Sequence, residues 1–190
     1  NGQIEGGAYS VAQHCVLGAC ALYQETGDHA LALHFLLHDA HEAFIGDITS
    51  PATRAIGLAI AFATSPYGTG CSPSVSEYTY RSMHMGLEYL KSNLDQAIYL
   101  AAGIAMPCRM ETDQITDMDV RLLKWERDTF LSPSAPYSWP DEVELAKPIQ
   151  FEGHLKSTIW SAPKAYEEWK SAFNSLKNQV LEVSIQFGFL

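Results

Sequence analysis

The ten residues HDAHEAFIGD, from His38 to Asp47, concentrate ionisable side chains inside an apolar part of the chain. They contain two histidines, two aspartates and one glutamate, and the apolar segment around them has the length of a buried helix. An ionised carboxylate in an apolar helix is costly unless it is paired or bound to a cation. The adjacent His38 and Asp39 therefore indicate a metal site, provided that the chain supplies further ligands.

Other polar residues in and around this stretch are further candidates for the site, and the sequence supports some of them better than others. At a helical pitch, Glu42 lies one turn after His38 on the same face, and Asp39 is rotated by about 100°. His34 lies one turn before His38, which is the i,i+4 spacing of HExxH-type sites, but that motif is absent. His34 is therefore the weaker ligand candidate. Asp47 belongs either to the site or to an ordinary turn.

Length and composition favour a single helical domain. The chain has 190 residues, of which 47% are hydrophobic, so it can bury a substantial core. Helix-forming residues dominate, and long runs of Val, Ile and Thr are absent. No apolar run reaches the roughly 18 residues that a membrane span needs, and no signal-peptide pattern is visible. Since the chain begins at Asn1 and not at Met, we expect an upstream segment.

Charge and cysteine content restrict the partners and the compartment. The net charge of −10 argues against a nucleic-acid polymer as partner, because a phosphate backbone requires a basic surface. A small phosphorylated substrate is compatible with this charge if a metal and a local basic cluster hold it. The four cysteines show no CxxC spacing, and we interpret them as reduced thiols of a cytoplasmic protein: Cys15, Cys20, Cys71 and Cys108.

Six segments combine apolar positions three or four residues apart with a capping or breaking residue at one end. Ser10, Asp28 and Asp113 are candidate N-caps, and Gly27 and Gly46 are candidate helix stops. The sequence therefore predicts helices at about 11–25, 28–45, 52–64, 76–102, 113–131 and 161–178.

Three other segments have a composition that differs from these helices. Residues 65–75 form a candidate lid or surface loop that contains Tyr67, and the proline-containing region 132–160 is loop-rich. The apolar tail VLEVSIQFGFL, residues 180–190, is either a strand or a segment that packs on a neighbouring subunit.

Two further ionisable residues fall on apolar helix faces. His14 shares a face with small and apolar residues, so taken alone it is more simply a core histidine bonded to a backbone carbonyl. Asp119 lies on the apolar side of the 113–131 helix and, taken alone, would pair with a base such as Arg109.

Taken together, these residues indicate a metal centre. His14, His38, Asp39 and Asp119 come from three predicted helices, and among them only His38 and Asp39 are adjacent in the chain. Two imidazoles and two carboxylates suit one divalent ion such as Mn, Fe, Co or Zn, with coordination positions left for water and substrate.

The order H…HD…D is the pattern of the HD superfamily of metal-dependent phosphohydrolases. Four blocks of this chain resemble the 5′-deoxynucleotidase-like branch of bacteria and phages, and together they span most of its length: YSVAQHC (9–15), LLHDAHEAFIGDITSP (36–51), MDVRLLKWERD (118–128) and IWSAPKAYEEW (159–169).

This resemblance implies an all-α, HD-domain helical bundle with one domain over residues 1–190. It implies one divalent transition metal, with Mg as an option when the substrate is phosphorylated. The metal ligands that it implies are His14, His38, Asp39 and Asp119.

The resemblance also implies two catalytic residues, because it assigns Glu42 to the attacking water and Asp47 to the border of the substrate pocket. Arg54 and Arg81 are candidates for binding the substrate phosphate. Relatives carry an arginine and an aromatic residue that help hold the nucleotide, at a position that lies before Asn1 here.

Three functions remain open at this point. The leading one removes phosphate from deoxynucleoside 5′-monophosphates. The second keeps the metal site but acts on another nucleotide, such as a nucleoside or deoxynucleoside triphosphate, a cyclic nucleotide or a guanosine polyphosphate. The third is a helical assembly domain with a structural metal, which the open ligand set argues against. The expected partners are a nucleotide substrate and further copies of this chain, without nucleic-acid polymer or membrane.

Overall fold

The computed structural model describes residues 8–64, 73–130, 139–151 and 158–186. All regular secondary structure in these ranges is helical, which confirms the predicted all-α class. The helices are α1 (Val11–Thr26), α2 (His29–Leu37), α3 (Glu42–Ile45), α4 (Ser50–Thr64), α5 (Pro73–Ala102), α6 (Arg109–Phe130), α7 (Asp141–Glu144) and α8 (Ala162–Gln186).

The helices belong to two compact units. The first unit combines Asn1–Asp39 with Met106–Leu190, and the second unit is Ala40–Ala105. The first unit therefore contains α1, α2, α6, α7 and α8, whereas the second contains α3, α4 and α5. The extent of a single domain over 1–190 stays a prediction.

Local capping explains where the first two helices begin and end. The Ser10 side chain accepts a hydrogen bond from the backbone N–H of Gln13 at 3.2 Å, which satisfies one of the unpaired amides at the start of α1. Gly27 follows α1 with a φ of 68°, a left-handed conformation that glycine adopts without steric cost. Asp28 caps α2 by accepting from two backbone amides. These three predicted caps are confirmed.

The core of the first unit lies where α2 packs against α1 and α8. Every residue from Leu31 to Leu37 is buried, as expected of a helix that is apolar around its whole circumference. Gly18 allows α1 to approach α2 closely, since a Cβ at this position would overlap the ring of Phe35. Gln13 is fully buried and binds the loop before α8 through the Thr158 carbonyl and the Trp160 amide, each at 2.9 Å.

The predicted continuous helix from 28 to 45 is wrong. The helix ends at Leu37, residues 38–41 form a turn, and α3 begins at Glu42. His38 Nδ1 donates to the Phe35 carbonyl oxygen at 2.7 Å, and Trp169 Nε1 donates to the Leu36 carbonyl oxygen at 3.2 Å. Because these side chains satisfy carbonyls at the end of α2, the helix can stop there without leaving them unpaired.

The start of α6 also differs from the prediction. It begins at Arg109 and not near the predicted cap Asp113. The backbone N–H of Cys108 donates to Glu111 Oε2 at 2.6 Å. A carboxylate three residues downstream thus satisfies an amide at the helix start, as in half of a capping box. A cysteine at this position gave no sequence signal for a cap.

The tail, the candidate lid and the loop-rich region are each described only in part. The strand alternative for the tail is wrong for residues 180–186, which continue α8, whereas 187–190 lie outside the described residues. Of the candidate lid 65–75, residues 65–72 including Tyr67 also lie outside them, and 73–75 belong to α5. The loop-rich region 132–160 contains the short helix α7 in its described part.

The second unit is built on the packing of α4 against α5. Gly57 allows this approach, since a Cβ there would lie 3.0 Å from the Cα of Tyr80. His41 is buried in the same unit, and its Nδ1 lies 2.9 Å from Asp95 Oδ1. The long α5 thus packs against α4 and also supplies the half-buried carboxylate that faces the buried His41.

The sequence predicts no membrane span and reduced cysteines. Within the described ranges, none of the helices is both long enough and apolar enough to cross a membrane. Cys15, Cys20 and Cys108 are free thiols, and Cys71 lies outside the described residues.

The close contact between α1 and α2 predicts a specific sensitivity at Gly18. We expect Gly18→Ala to lower the free energy of unfolding by about 1–3 kcal/mol, because the added methyl group overpacks the core against Phe35. Urea unfolding followed by far-UV circular dichroism measures this change.

Gly86→Ala is the matched control, because nothing lies within 4 Å of a Cβ built at Gly86 in α5. We expect this variant to be unchanged or up to about 1 kcal/mol more stable, as alanine favours a helix over glycine. A Gly18→Ala variant as stable as the unaltered protein would contradict the overpacking.

Candidate metal centre

His14 contributes the first imidazole from the second turn of α1. Its side chain is 13% exposed, and its Nδ1 lies 2.7 Å from Glu126 Oε1. On the other side of the ring, Nε2 lies 3.1 Å from Asp119 Oδ1. The two ring nitrogens therefore face different carboxylates on α6.

His38 contributes the second imidazole from the residue that directly follows α2. Its Nδ1 donates to the Phe35 carbonyl oxygen at 2.7 Å. Its Nε2 faces two carboxylates, since it lies 3.2 Å from Asp39 Oδ2 and 3.8 Å from Asp119 Oδ1. The bond that helps to end α2 thus also orients this nitrogen.

The structure brings together all four predicted ligands. Asp39 Oδ2 also approaches His14 Nε2, at 3.9 Å, and the ligand atoms of His14, His38 and Asp39 all lie within 4.8 Å of one another. Asp119 joins both histidines from α6. All four residues belong to the first unit, so its packing alone forms the cluster.

The arrangement of the imidazole nitrogens fits a bound cation. In each neutral ring the proton belongs on Nδ1, because Nδ1 faces an oxygen acceptor. Nε2 of His14 and Nε2 of His38 are both buried without a hydrogen bond of acceptable geometry, despite the nearby carboxylate oxygens. Two lone pairs and two carboxylates that face each other repel unless a cation lies among them. The cluster can therefore hold a metal ion.

The electrostatics also favour positive charge at this position. Burial lowers the pKa of His14, but Asp119 and Glu126 outweigh burial and raise the pKa to about 10. Burial likewise opposes charge on His38, whereas contacts with Asp119 and the Cys15 thiol raise its pKa to about 10. For Asp119, burial raises the pKa, but the two histidines hold it well below its usual range. A proton and a metal ion therefore compete for the same nitrogens.

The sequence left two alternatives open, namely His34 as a metal ligand and a pairing of Asp119 with Arg109. His34 is buried, its Nε2 lies 4.0 Å from Glu111 Oε1, and it is not among the residues that form the cluster. Asp119 and Arg109 lie on the same helix, α6. They do not pair, because about three turns of helix separate them along its axis.

The other predicted site residues lie in the second unit. Glu42 opens α3 and is half-buried, and Asp47 is exposed between α3 and α4. Arg54 is exposed on α4, with its guanidinium carbon 6.0 Å from the Tyr80 ring centroid. Arg81 is exposed on α5 and binds Glu77 at 2.8 Å. Their roles in catalysis and phosphate binding stay predictions.

The sequence pattern did not assign Glu126 or Tyr9 to the site. The same Glu126 oxygen that faces His14 accepts a hydrogen bond from the Tyr9 hydroxyl at 2.7 Å. A partial signal was present, since Glu126 follows Asp119 by two helical turns and therefore lies on the same face of α6. Tyr9 gave no such signal, because it precedes α1 and contacts a residue 117 positions away.

A scan against protein-family models and searches of curated proteins and of solved structures found no match to this chain.

The ligand cluster predicts loss of metal on removal of either residue of the central pair. We expect about one divalent ion per chain in the purified protein, and an empty site in His38→Ala and in Asp39→Ala. Because bound metal stabilises the folded state, added metal should raise Tm in the unaltered protein but not in these variants. Elemental analysis and thermal unfolding provide the two measurements.

His84→Ala is the control for this prediction, because it removes an exposed imidazole on α5. This variant should retain the metal. Full metal occupancy in both His38→Ala and Asp39→Ala would contradict the ligand assignment.

The raised pKa values of His14 and His38 predict that metal binding weakens as pH falls. With a pKa of about 10, each ring carries a second proton, on Nε2, at neutral pH. The metal must displace this Nε2 proton in order to bind. Between pH 8 and pH 6, the dissociation constant should therefore rise about 10- to 100-fold per pH unit, for one or two displaced protons. Titration with Co²⁺ at several pH values measures the slope, and a pH-independent affinity would contradict the proton competition.

Proposed function

We propose that this protein is a metal-dependent phosphohydrolase that releases phosphate from deoxynucleoside 5′-monophosphates. The observation that carries this proposal is the convergence of two buried imidazole Nε2 atoms with two carboxylates. The resemblance of four sequence blocks to HD-superfamily deoxynucleotidases gives the reaction and the substrate class.

The residues that would hold the metal are His14, His38, Asp39 and Asp119. Two nitrogen and two oxygen donors suit Mn, Fe, Co or Zn, and Mg could accompany a phosphorylated substrate. When bound, the ion would lower the pKa of a coordinated water and polarise a phosphoryl oxygen. The donor set supports a catalytic ion, since structural zinc sites are normally closed and often rich in cysteine.

In this proposal, Glu42 orients the attacking water and accepts its proton. The water oxygen forms a bond to phosphorus, the bond from phosphorus to the nucleoside 5′-oxygen breaks, and that oxygen leaves with the electron pair and takes up a proton. Glu42 follows the proposed ligand Asp39 by three residues in the sequence, which supports this role.

Arg54 is the stronger candidate for neutralising the substrate phosphate. Arg81 already pairs with Glu77, whereas the guanidinium of Arg54 lies over an aromatic ring that limits its freedom. Asp47 would border the substrate pocket in this proposal. Its exposed position between two helices is compatible with contact to a ligand.

We further propose that the protein is cytoplasmic and self-associates. The apolar composition of the tail, residues 180–190, is the reason for expecting contact with another copy of the chain. Light scattering coupled to size-exclusion chromatography measures the oligomeric state, and a monomer at every concentration would contradict self-association.

The role of Glu42 predicts a loss of turnover without a loss of metal. Glu42→Gln keeps the shape of the side chain but removes the charge that accepts the proton, so turnover should fall by roughly 10²-fold or more. Phosphate release from dAMP and elemental analysis measure the two properties. Glu88→Gln on α5 is the control, because its side chain is exposed in the same unit. Turnover within a factor of about two would show that Glu42 is only a neighbour of the site.

The substrate proposal predicts a preference for dAMP over AMP. A pocket that merely lacks space for the 2′-hydroxyl discriminates by about 10²-fold at most, so this is the upper limit that we expect. Phosphate release from dAMP, AMP, dATP and ATP with the same enzyme preparation measures it. Equal rates for ribo and deoxy forms would refute the sugar preference, and a preference for dATP would indicate a triphosphohydrolase.

A further inference from the structure

We propose that Glu126, held in place by Tyr9, is a positioning residue that makes His14 a stronger metal ligand. The inference rests on the proposed metal centre but concerns residues outside its ligand set. Glu126 acts through His14 in this proposal and does not itself touch the metal.

One carboxylate oxygen of Glu126, Oε1, contacts both Tyr9 and His14. Its Oε1 accepts from the Tyr9 hydroxyl at 2.7 Å and faces His14 Nδ1 at 2.7 Å. Burial and the negative charge of Glu126 raise the pKa of Tyr9, so this hydroxyl keeps its proton and can only donate to the carboxylate. The Glu126 side chain is 14% exposed, and both of these partners lie more than a hundred residues away in the sequence.

This arrangement selects one form of the His14 ring. A carboxylate oxygen accepts a hydrogen bond but cannot donate one, so the neutral ring must carry its proton on Nδ1. The lone pair of Nε2 is then directed at the carboxylates of Asp39 and Asp119, at 3.9 and 3.1 Å. The opposite tautomer would direct a proton at the position where the metal would bind.

The charge of Glu126 adds to this effect. A carboxylate hydrogen-bonded to the far nitrogen of a histidine raises the basicity of the ring and so its affinity for a metal. His38 lacks this feature, because its Nδ1 donates to the neutral Phe35 carbonyl. The two imidazoles of the centre therefore differ at Nδ1, which faces a carboxylate in His14 and a backbone carbonyl in His38.

The neighbours of Glu126 determine what can balance its negative charge. Among the residues that the structure describes, the recorded partners of Glu126 are Tyr9 and His14. Tyr9 is neutral, so of these two partners it is the His14 ring that can balance the charge of the half-buried Glu126 carboxylate. A metal ion bound at Nε2 of His14 would supply this positive charge.

Binding of Co²⁺ to the full chain tests the proposal without relying on activity. The dissociation constant and the visible absorption of bound Co²⁺ are measured for the unaltered protein, Glu126→Gln, Tyr9→Phe and the double variant. We expect Glu126→Gln to weaken binding about 10- to 100-fold and to change the spectrum. The glutamine either accepts without charge or, when flipped, donates to Nδ1 and places the His14 proton on Nε2.

Tyr9→Phe should weaken binding less, by about 3- to 10-fold, because it removes one hydrogen bond to Glu126. In the Glu126→Gln background the same change should have less than about a twofold effect, since Tyr9 acts through Glu126. This non-additivity distinguishes a linked Tyr9–Glu126–His14 chain from two independent contributions.

Asp128→Asn is the matched control. It removes the same charge from the same end of α6, but Asp128 is exposed and pairs with Arg127. Its Co²⁺ affinity should stay within about twofold of the unaltered protein. Thermal unfolding of each variant without added metal separates a loss of fold from a loss of ligand strength, and a purely structural role would lower Tm while leaving Co²⁺ affinity and spectrum unchanged.

Three results would overturn the inference, and they separate it from the proposed function. No Co²⁺ binding by the unaltered protein would remove both. Normal binding and spectrum in Glu126→Gln and in Tyr9→Phe would remove the inference and leave the metal centre intact. An equal loss in Asp128→Asn would show that only the net charge of α6 matters.

Discussion

The hydrogen bond from His38 Nδ1 to the Phe35 carbonyl oxygen links the fold of the first unit to its chemistry. It satisfies a carbonyl at the end of α2, so that the helix can stop there. It also fixes the ring so that Nε2 faces Asp39 and Asp119. The same hydrogen bond thus ends a helix and orients a candidate metal ligand. Trp169 supports it from α8 by binding the neighbouring Leu36 carbonyl.

The cluster also depends on the rigid packing of α1 against α2. The glycine at position 18 lets Phe35 lie directly against α1, so His14 and His38 approach each other with ring centroids 5.4 Å apart. The fully buried Gln13, next to His14, ties the chain before α8 to the same helix. Closely packed interiors permit little movement, so these contacts hold the imidazoles at a separation that one ion can bridge.

Three carboxylates determine the electrostatic character of the centre. Asp39 and Asp119 approach both imidazoles, and Glu126 approaches His14. The pKa of each histidine is raised to about 10 in response, after burial has been outweighed. These carboxylates stabilise a divalent ion as they do a proton. In the proposed enzyme, the same negative surroundings would tie the affinity for metal to pH.

The sequence by itself determined the all-α class, the caps at Ser10, Gly27 and Asp28, and, with the family resemblance, the four residues that the structure brings together. Caps are readable because their hydrogen bonds connect residues a few positions apart. The interruption of the helix at 38–41 and the contacts of Glu126 with Tyr9 and His14 were decided by the tertiary structure. The reason is physical: Trp169 reaches α2 from 133 residues away, and Glu126 reaches His14 across 112, so no local pattern encodes these bonds.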